Sequence, residues 1–402
     1  MKRSFLVFLA VVTAGAASLI PRALADDQGR VPSQEKIASK WDAKMGELYR
    51  TLSDLLTDVT SDRRFRDPSN KSRIEKEADR LAGLSHDLSA KGMVAPDADP
   101  SIQIIAQMLG NESKQAVYEL KHGDRGYARI LLRSLPSYCI ACHTRNSSGP
   151  QFSNLAFEPM KGTLTPIERG EFYAASRQFD RALDEFKKVI QDPKSAEKSP
   201  WDWETAIHQS LAIAIRVKKD PAQANEVIKA VLKASGAPAF MKSDAKVWQV
   251  SVQDWQNELP RQAKTEAGLH NEALRLMAKA REIQKYPMDR TGDVLYLRAS
   301  SVVHDMLQIA PQGEFSAEGF FLAGLSYEVL SPLRLEDLHD IYYELCIRKA
   351  PHSETAGLCY RQYEQSQYLG YTGSAGTYIP IGIRKKLSEL SVLSEPTTLP
   401  PQ

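Results

Sequence analysis

Two cysteines and a histidine lie close together in the segment LLRSLPSYCIACHTR, residues 131–145. Cys139 and Cys142 are three positions apart, and His143 follows directly. On a helical turn, two thiols at this spacing reach the two vinyl groups along one porphyrin edge, and the next imidazole reaches the iron. The spacing therefore predicts one covalently bound haem c, with thioether bonds from Cys139 and Cys142 and with His143 as an axial iron ligand.

Other sites also use a CxxC spacing, and the surrounding sequence argues against each of them. A structural zinc site needs four ligands, and the sequence has no second CxxC or HxxxH pair. A thioredoxin-like dithiol belongs to a βαβ unit, whereas the residues around CIACH have helical periodicity. A disulfide between Cys139 and Cys142 would leave His143 without a role. A haem uses all three side chains.

The N-terminus has the features of a secretory signal peptide. Lys2 and Arg3 precede an apolar run over 5–20, and Ala23-Leu24-Ala25 forms a cleavage site for residues 1–25. Without cleavage the same run would act as a membrane anchor. No other segment predicts a membrane span. Because bacteria attach haem c outside the cytoplasm, we expect a periplasmic protein with no stable span after cleavage.

The charge balance of the chain excludes some partners. The chain has 52 basic and 50 acidic residues, and its formal net charge is +2. Residues 1–25 contain three basic and no acidic residues, so the exported protein has a charge of −1. No basic stripe interleaved with aromatic residues is present, so nucleic acid is not an expected partner. No Ser-His-Asp or paired-carboxylate spacing is found either, which favours an electron carrier or a binding protein over an enzyme.

Residues 30–160 are predicted to form a helical bundle that holds the haem. Apolar residues recur every three or four positions over about 34–60, 71–90, 101–122 and 124–143. Pro136 should bend or interrupt the last helix, and 61–70 is expected to be a loop. Four amphipathic helices with short connections favour an up-and-down arrangement.

A bundle with CxxCH near the end of its last helix resembles a class II cytochrome c of the cytochrome c-prime type. The turn from Ala116 through Leu120 to Gly123-Asp124 adds to this resemblance. It implies that a residue of the first helix faces the distal side of the iron. Met45 is therefore the first candidate for the sixth ligand, His86 is the second, and an open site is the third. Weaker candidates are Met93, Met108, His122 and Met160.

Two further residues are expected in the haem surroundings. Tyr138 directly precedes the first cysteine. Pro150, in SGPQF, is similar to the proline that follows CxxCH in class I cytochromes, and this similarity implies that its carbonyl accepts a hydrogen bond from His143.

Residues 161–390 resemble the tetratricopeptide repeat family, which implies paired helices stacked into a solenoid. The first pair carries the small and large residues of that pattern at Gly170, Tyr173, Phe179, Ala182 and Phe186. Weaker pairs follow at 210–233, 246–283 and 320–351, and another helix at 354–374. Such a stack binds a peptide or partner helix on its concave face. We therefore expect a redox or client protein as the partner.

Three features near the C-terminus complete the predictions. Cys346 and Cys359 are an even pair in an oxidising compartment and predict a disulfide. The segment GYTGSAGTYIP, 370–380, predicts a tight turn before a helix from Pro380, and residues 391–402 a disordered tail.

The sequence as a whole thus predicts an all-α protein with a four-helix haem bundle followed by a helical solenoid. The favoured function is periplasmic electron transfer. The alternatives are a five-coordinate haem that binds or senses a gas, and an assembly scaffold in which the haem is structural.

Overall fold

The computed structural model describes residues 34–88, 99–145, 164–258, 265–286, 289–330 and 338–396. These residues are mostly helical, which confirms the all-α prediction. In the first half of the chain the helices are α1 (Gln34–Val59), α2 (Asp62–Arg66), α3 (Lys71–Leu88), α4 (Pro100–His122), α5 (Arg125–Ser134) and α6 (Pro136–His143). Next come α7 (Pro166–Ala175), α8 (Phe179–Gln191), α9 (Ser195–Lys198), α10 (Pro200–Ala212) with a π-helical extension (Ile213–Val217), α11 (Pro221–Lys233) and α12 (Ala239–Asn257). The last are α13 (Glu266–Ile283), α14 (Asp293–Ile309), α15 (Ser316–Leu330), α16 (Leu338–Lys349), α17 (Glu354–Gly370), strands β1 (Thr372–Gly373) and β2 (Gly376–Thr377), and α18 (Ile381–Ser394).

The first-half helices pack side by side in chain order. α1 packs on α3, α3 on α4 and α4 on α5, and α5 returns to α1. The Asp99 side chain caps α4 by accepting from the Ser101 N–H, and Gly123 ends that helix at φ 128°, where a side chain would be strained. Asp124 then caps α5 by accepting from the Tyr127 N–H.

The structure decides two local predictions in the first half. The expected loop at 61–70 is wrong, because α2 and a 3₁₀ turn over Pro68–Asn70 lie there. Ser61 caps α2, and Phe65 is 2 % exposed, so one buried side chain anchors a short helix. Pro136 interrupts the last helix, as predicted. It begins α6 after α5 has ended at Ser134, as expected of a residue that cannot donate a backbone hydrogen bond.

Close helix pairs in the second half depend on glycines that face aromatic rings. A Cβ atom on Gly170 of α7 would lie 2.4 Å from the ring of Phe186 on α8. The same relation holds between Gly324 of α15 and Tyr343 of α16, also at 2.4 Å. Both glycines therefore allow a ring to lie against the facing helix backbone. The first of these contacts joins Gly170 and Phe186, which the sequence pattern singled out.

α14 is a long helix that the sequence prediction missed. It packs against both α13 and α15, and 14 of its 17 residues are buried.

The predicted tail begins later than expected, because α18 continues to Ser394 and its Leu390 is fully buried. The disulfide prediction is confirmed, since Cys346 of α16 is bonded to Cys359 of α17. Within the described ranges, no helix combines the length and apolar character that a bilayer span needs. The predicted signal peptide, 1–25, lies outside them.

Candidate haem site

The CxxCH residues face one apolar cavity of about 440 Å³. Its volume lies within the range of cofactor sites, about 300–1,000 Å³. Cys139, Cys142 and His143 enter it from α6, and both cysteines are free thiols. The other walls come from α1, α4, α7 and α14, among them Leu48, Leu52, Ile105, Leu109, Phe172 and Leu307.

The His143 ring is held in one tautomer. Its Nδ1 atom lies 2.6 Å from the carbonyl oxygen of Ala175, the last residue of α7. A carbonyl can only accept, so Nδ1 carries the proton and the lone pair is on Nε2. This hydrogen bond fixes the orientation of the ring, as a similar bond does in most metal-bound histidines. The acceptor expected from Pro150 lies outside the described residues, and in the structure Ala175 performs that function.

The surroundings keep all three side chains uncharged. Desolvation in the cavity wall, together with the nearby charge of Arg177, lowers the pKa of His143 to about 4, so the imidazole is neutral at pH 7 as an iron ligand must be. Desolvation also raises the pKa of Cys139 to about 12 and raises that of Cys142. Both thiols therefore remain protonated in this site.

The candidates for a sixth ligand differ in whether they line the cavity. Met45 lies on α1 and lines the cavity beside Trp41. His86 is exposed on α3 and is not among the lining residues, so the structure does not bring it to the site. His122 is also exposed, and Met108 packs against the core outside the cavity lining. Met93 and Met160 lie outside the described residues. Tyr138 lines the cavity as expected, and its hydroxyl donates to Glu112.

A buried positive charge lies in the cavity wall. The Arg145 side chain donates from Nη1 to Asp99 at 2.9 Å and to Ser101 at 2.6 Å. Its Nε and Nη2 atoms are buried without a hydrogen-bond partner among the described residues. Arg177 brings a second guanidinium into the same wall. Because buried polar groups are costly unless they are hydrogen-bonded, these two Arg145 nitrogens suit a ligand with a carboxylate, such as a haem propionate.

Three lining residues come from α14 and were not singled out by the sequence. They are His304, Leu307 and Gln308. His304 Nε2 lies 2.8 Å from the Tyr327 hydroxyl, and Nδ1 lies 3.8 Å from Asp99. Burial and the positive charges of Arg145 and Arg216 hold the pKa of His304 well below its usual range. Nothing in the sequence indicated that His304 lies at the site.

Polar contacts continue from the motif into the second half. Arg216, in the π-helical segment, donates to the Thr144 hydroxyl at 3.0 Å and to the Tyr327 hydroxyl at 2.9 Å. The ring of Tyr327 stacks on that of Tyr342, with centroids 5.3 Å apart, and Tyr342 shares a hydrogen bond with Ser101. The residue after His143 is therefore bonded directly to the helices of the second half.

Comparison with known protein families, with characterised proteins and with solved structures gave no match. Function must therefore be argued from the residues and the cavity themselves.

Proposed function

We propose that the chain is a periplasmic monohaem c-type cytochrome that transfers electrons, with a bundle of the cytochrome c-prime type followed by a repeat stack that docks a redox partner. One observation carries this proposal. Cys139, Cys142 and His143 enter the same apolar cavity, and His143 is held there with its lone pair on Nε2. That is the donor set and the tautomer that covalent haem attachment requires.

Each residue has a defined part in such a site. The two thiols would hold the porphyrin through thioether bonds, and His143 would bind the iron. When bound, the haem supplies a one-electron redox centre whose potential depends on its axial ligands and on burial. Leu48, Leu52 and the other apolar walls keep water away, which lowers the reorganisation that electron transfer requires. Met45 is our candidate for the sixth ligand, and Arg145 for the partner of a propionate.

The second half also contributes directly to the site. α14 supplies part of the cavity wall, and Arg216 reaches Thr144. The paired helices suit a protein-docking surface of the repeat type. In our proposal, the same helices that complete the cavity also bind the redox or client protein.

These contacts favour a gas sensor as the second candidate. In that case the sixth position would be open, and a change at the iron would be relayed from Thr144 and Arg145 to Tyr327 and Tyr342. An assembly scaffold with a structural haem would have the same contacts, but it requires neither redox turnover nor gas binding.

Spectroscopy of the purified full-length protein tests the proposal. After expression in a host that matures c-type cytochromes, we expect one covalent haem by mass and by the pyridine haemochrome spectrum. Replacing Cys139 and Cys142 by alanine should abolish covalent attachment. Wild-type protein without haem would refute the proposal. A high-spin ferrous form that binds carbon monoxide at once would favour the sensor over the carrier.

A further inference from the structure

The region around the C-terminal hairpin has an unusual surface. We call residues 368–383 the C-terminal tip. This segment, YLGYTGSAGTYIPIGI, contains no charged residue in a chain that is one-quarter charged. Residues 368–378 are nevertheless all exposed. Its exposed apolar side chains are Leu369 (69 %), Tyr371 (37 %), Tyr378 (77 %) and Ile381 (80 %), with Tyr368 at 49 %. Exposed apolar side chains grouped in this way mark an interaction surface.

The backbone groups these side chains together. β1 and β2 pair through Thr372 with Thr377 and through Gly373 with Gly376. Tyr378 N–H donates to the carbonyl of Tyr371, so the two tyrosines lie opposite each other at the base of the hairpin. Directly opposite residues of an antiparallel pair point to the same face. The two exposed tyrosines therefore lie close together at the base of the hairpin, and Leu369 and Ile381 flank them along the chain.

A basic cluster follows the tip directly. Arg384, Lys385 and Lys386 occupy the first turns of α18, and Arg384 and Lys385 are exposed. Lys386 is paired with Glu344 at 3.0 Å, whereas Arg384 and Lys385 make no ion pair within the part of the chain that the structure describes. An apolar, tyrosine-rich surface beside free cations matches the surface of an anionic lipid bilayer. A second copy of the chain fits poorly, because this patch offers no acidic group to pair with those cations.

We propose that the C-terminal tip binds the surface of an anionic lipid membrane. Leu369, Tyr378 and Ile381 enter the headgroup region, where tyrosine rings are favoured because one end is apolar and the other is polar. Arg384 and Lys385 face the lipid phosphates. Insertion is shallow, since the outer edges of the two strands carry backbone groups that must keep their contact with water.

Vesicle cosedimentation of the full-length protein tests this proposal. The probes are vesicles of phosphatidylcholine alone and of phosphatidylcholine mixed with phosphatidylglycerol. We expect wild-type protein to sediment with the mixed vesicles and added salt to weaken binding. Tyr378→Ser with Ile381→Ser should weaken binding by about tenfold or more. Arg384→Gln with Lys385→Gln should weaken it about fivefold for each charge.

Matched controls distinguish binding by this surface from nonspecific binding to the vesicles. Ile130→Ser removes an equally exposed apolar side chain from α5, and Lys229→Gln with Lys279→Gln removes two exposed charges elsewhere. Both controls should bind as wild type does, and the melting curve of every variant checks its fold. If Tyr378→Ser with Ile381→Ser lowers the melting temperature, the variant Arg384→Gln with Lys385→Gln decides the test. Wild-type protein that stays in the supernatant, or tip variants that bind unchanged, would overturn the proposal. So would a concentration-dependent dimer that is lost with Tyr378→Ser, because the tip would then bind a second copy.

Discussion

The Nδ1 atom of His143 lies 2.6 Å from the carbonyl oxygen of Ala175, a residue 32 positions later at the end of α7. Carbonyls in the last turn of a helix have no partner within that helix, so this oxygen is available to accept. The contact joins the CxxCH helix to the first helix of the second half. It also determines which nitrogen of the ring keeps its lone pair.

If the chain binds the proposed haem, His143→Ala should remove the axial nitrogen and leave the thioether bonds in place. We expect a protein that keeps covalent haem but has an altered visible spectrum, and added imidazole should restore the wild-type spectrum by entering the vacated space. His122→Ala, which removes an exposed histidine of α4, is the control and should change nothing. If His143→Ala retained the wild-type spectrum without imidazole, another residue would be the ligand.

Met45→Ala tests the sixth ligand. If Met45 binds the iron, a low-spin ferric spectrum should become high-spin, and the sulfur-to-iron charge-transfer band should disappear. Met108→Ala provides the matched loss of a core methionine outside the cavity lining. A spectrum that is unchanged by Met45→Ala would assign Met45 to packing alone.

How far the sequence anticipates this site depends on the kind of contact. Cys139, Cys142 and His143 are adjacent in sequence, so their spacing suggested a common cofactor. The spacing of Cys346 and Cys359 likewise suggested a disulfide, which the structure shows. The Ala175 acceptor had no such signal, because a backbone carbonyl leaves no mark on residue type. Only the packing of α6 against α7 reveals it.

α14 was missed for a different reason. Periodicity identifies a helix when one face is apolar and the other polar, and α14 is buried nearly all round. Its Arg298, Ser300 and His304 are also buried, so polar residues interrupt the apolar run. Without that helix, nothing in the sequence indicated that the second half reaches the cavity. A similar limit applies at 61–70, where the single buried side chain of Phe65 was too weak a pattern to predict α2.

If the chain binds the proposed haem, Arg145→Gln should lower its reduction potential. A nearby positive charge favours the reduced iron, and its loss also leaves the Asp99 carboxylate without its cation, which favours the oxidised iron. We expect a decrease of tens of millivolts in a spectroelectrochemical titration. Arg361→Gln, which removes an exposed charge on α17, should leave the potential unchanged. If Arg145→Gln left the potential unchanged, the charge of Arg145 would be too far from the iron to affect it.

Gly170→Ala should destabilise the protein. The new methyl group would lie 2.4 Å from the Phe186 ring, so α7 and α8 must separate or the ring must move. Overpacking of this kind costs about 1–3 kcal/mol in the free energy of unfolding, measured by urea denaturation. Gly83→Ala on α3 is the matched control, because no atom lies within 4 Å of its new methyl group. That substitution should raise the free energy of unfolding by up to about 1 kcal/mol through helix propensity. Equal effects of the two substitutions would contradict the close contact.

His304 should make the protein less stable in acid. Its pKa is held well below the usual value by burial and by Arg145 and Arg216, so the folded protein leaves His304 neutral. The unfolded chain takes up that proton below pH about 6.5, and stability is therefore full above this pH and falls as the pH decreases. Between pH 6.5 and 5, this one residue should therefore lower the free energy of unfolding. Urea denaturation at both pH values checks the prediction. His304→Gln should reduce the loss, whereas His122→Gln, at an exposed position, should keep the wild-type loss. An equal loss in His304→Gln and wild type would show that His304 is protonated in the folded protein.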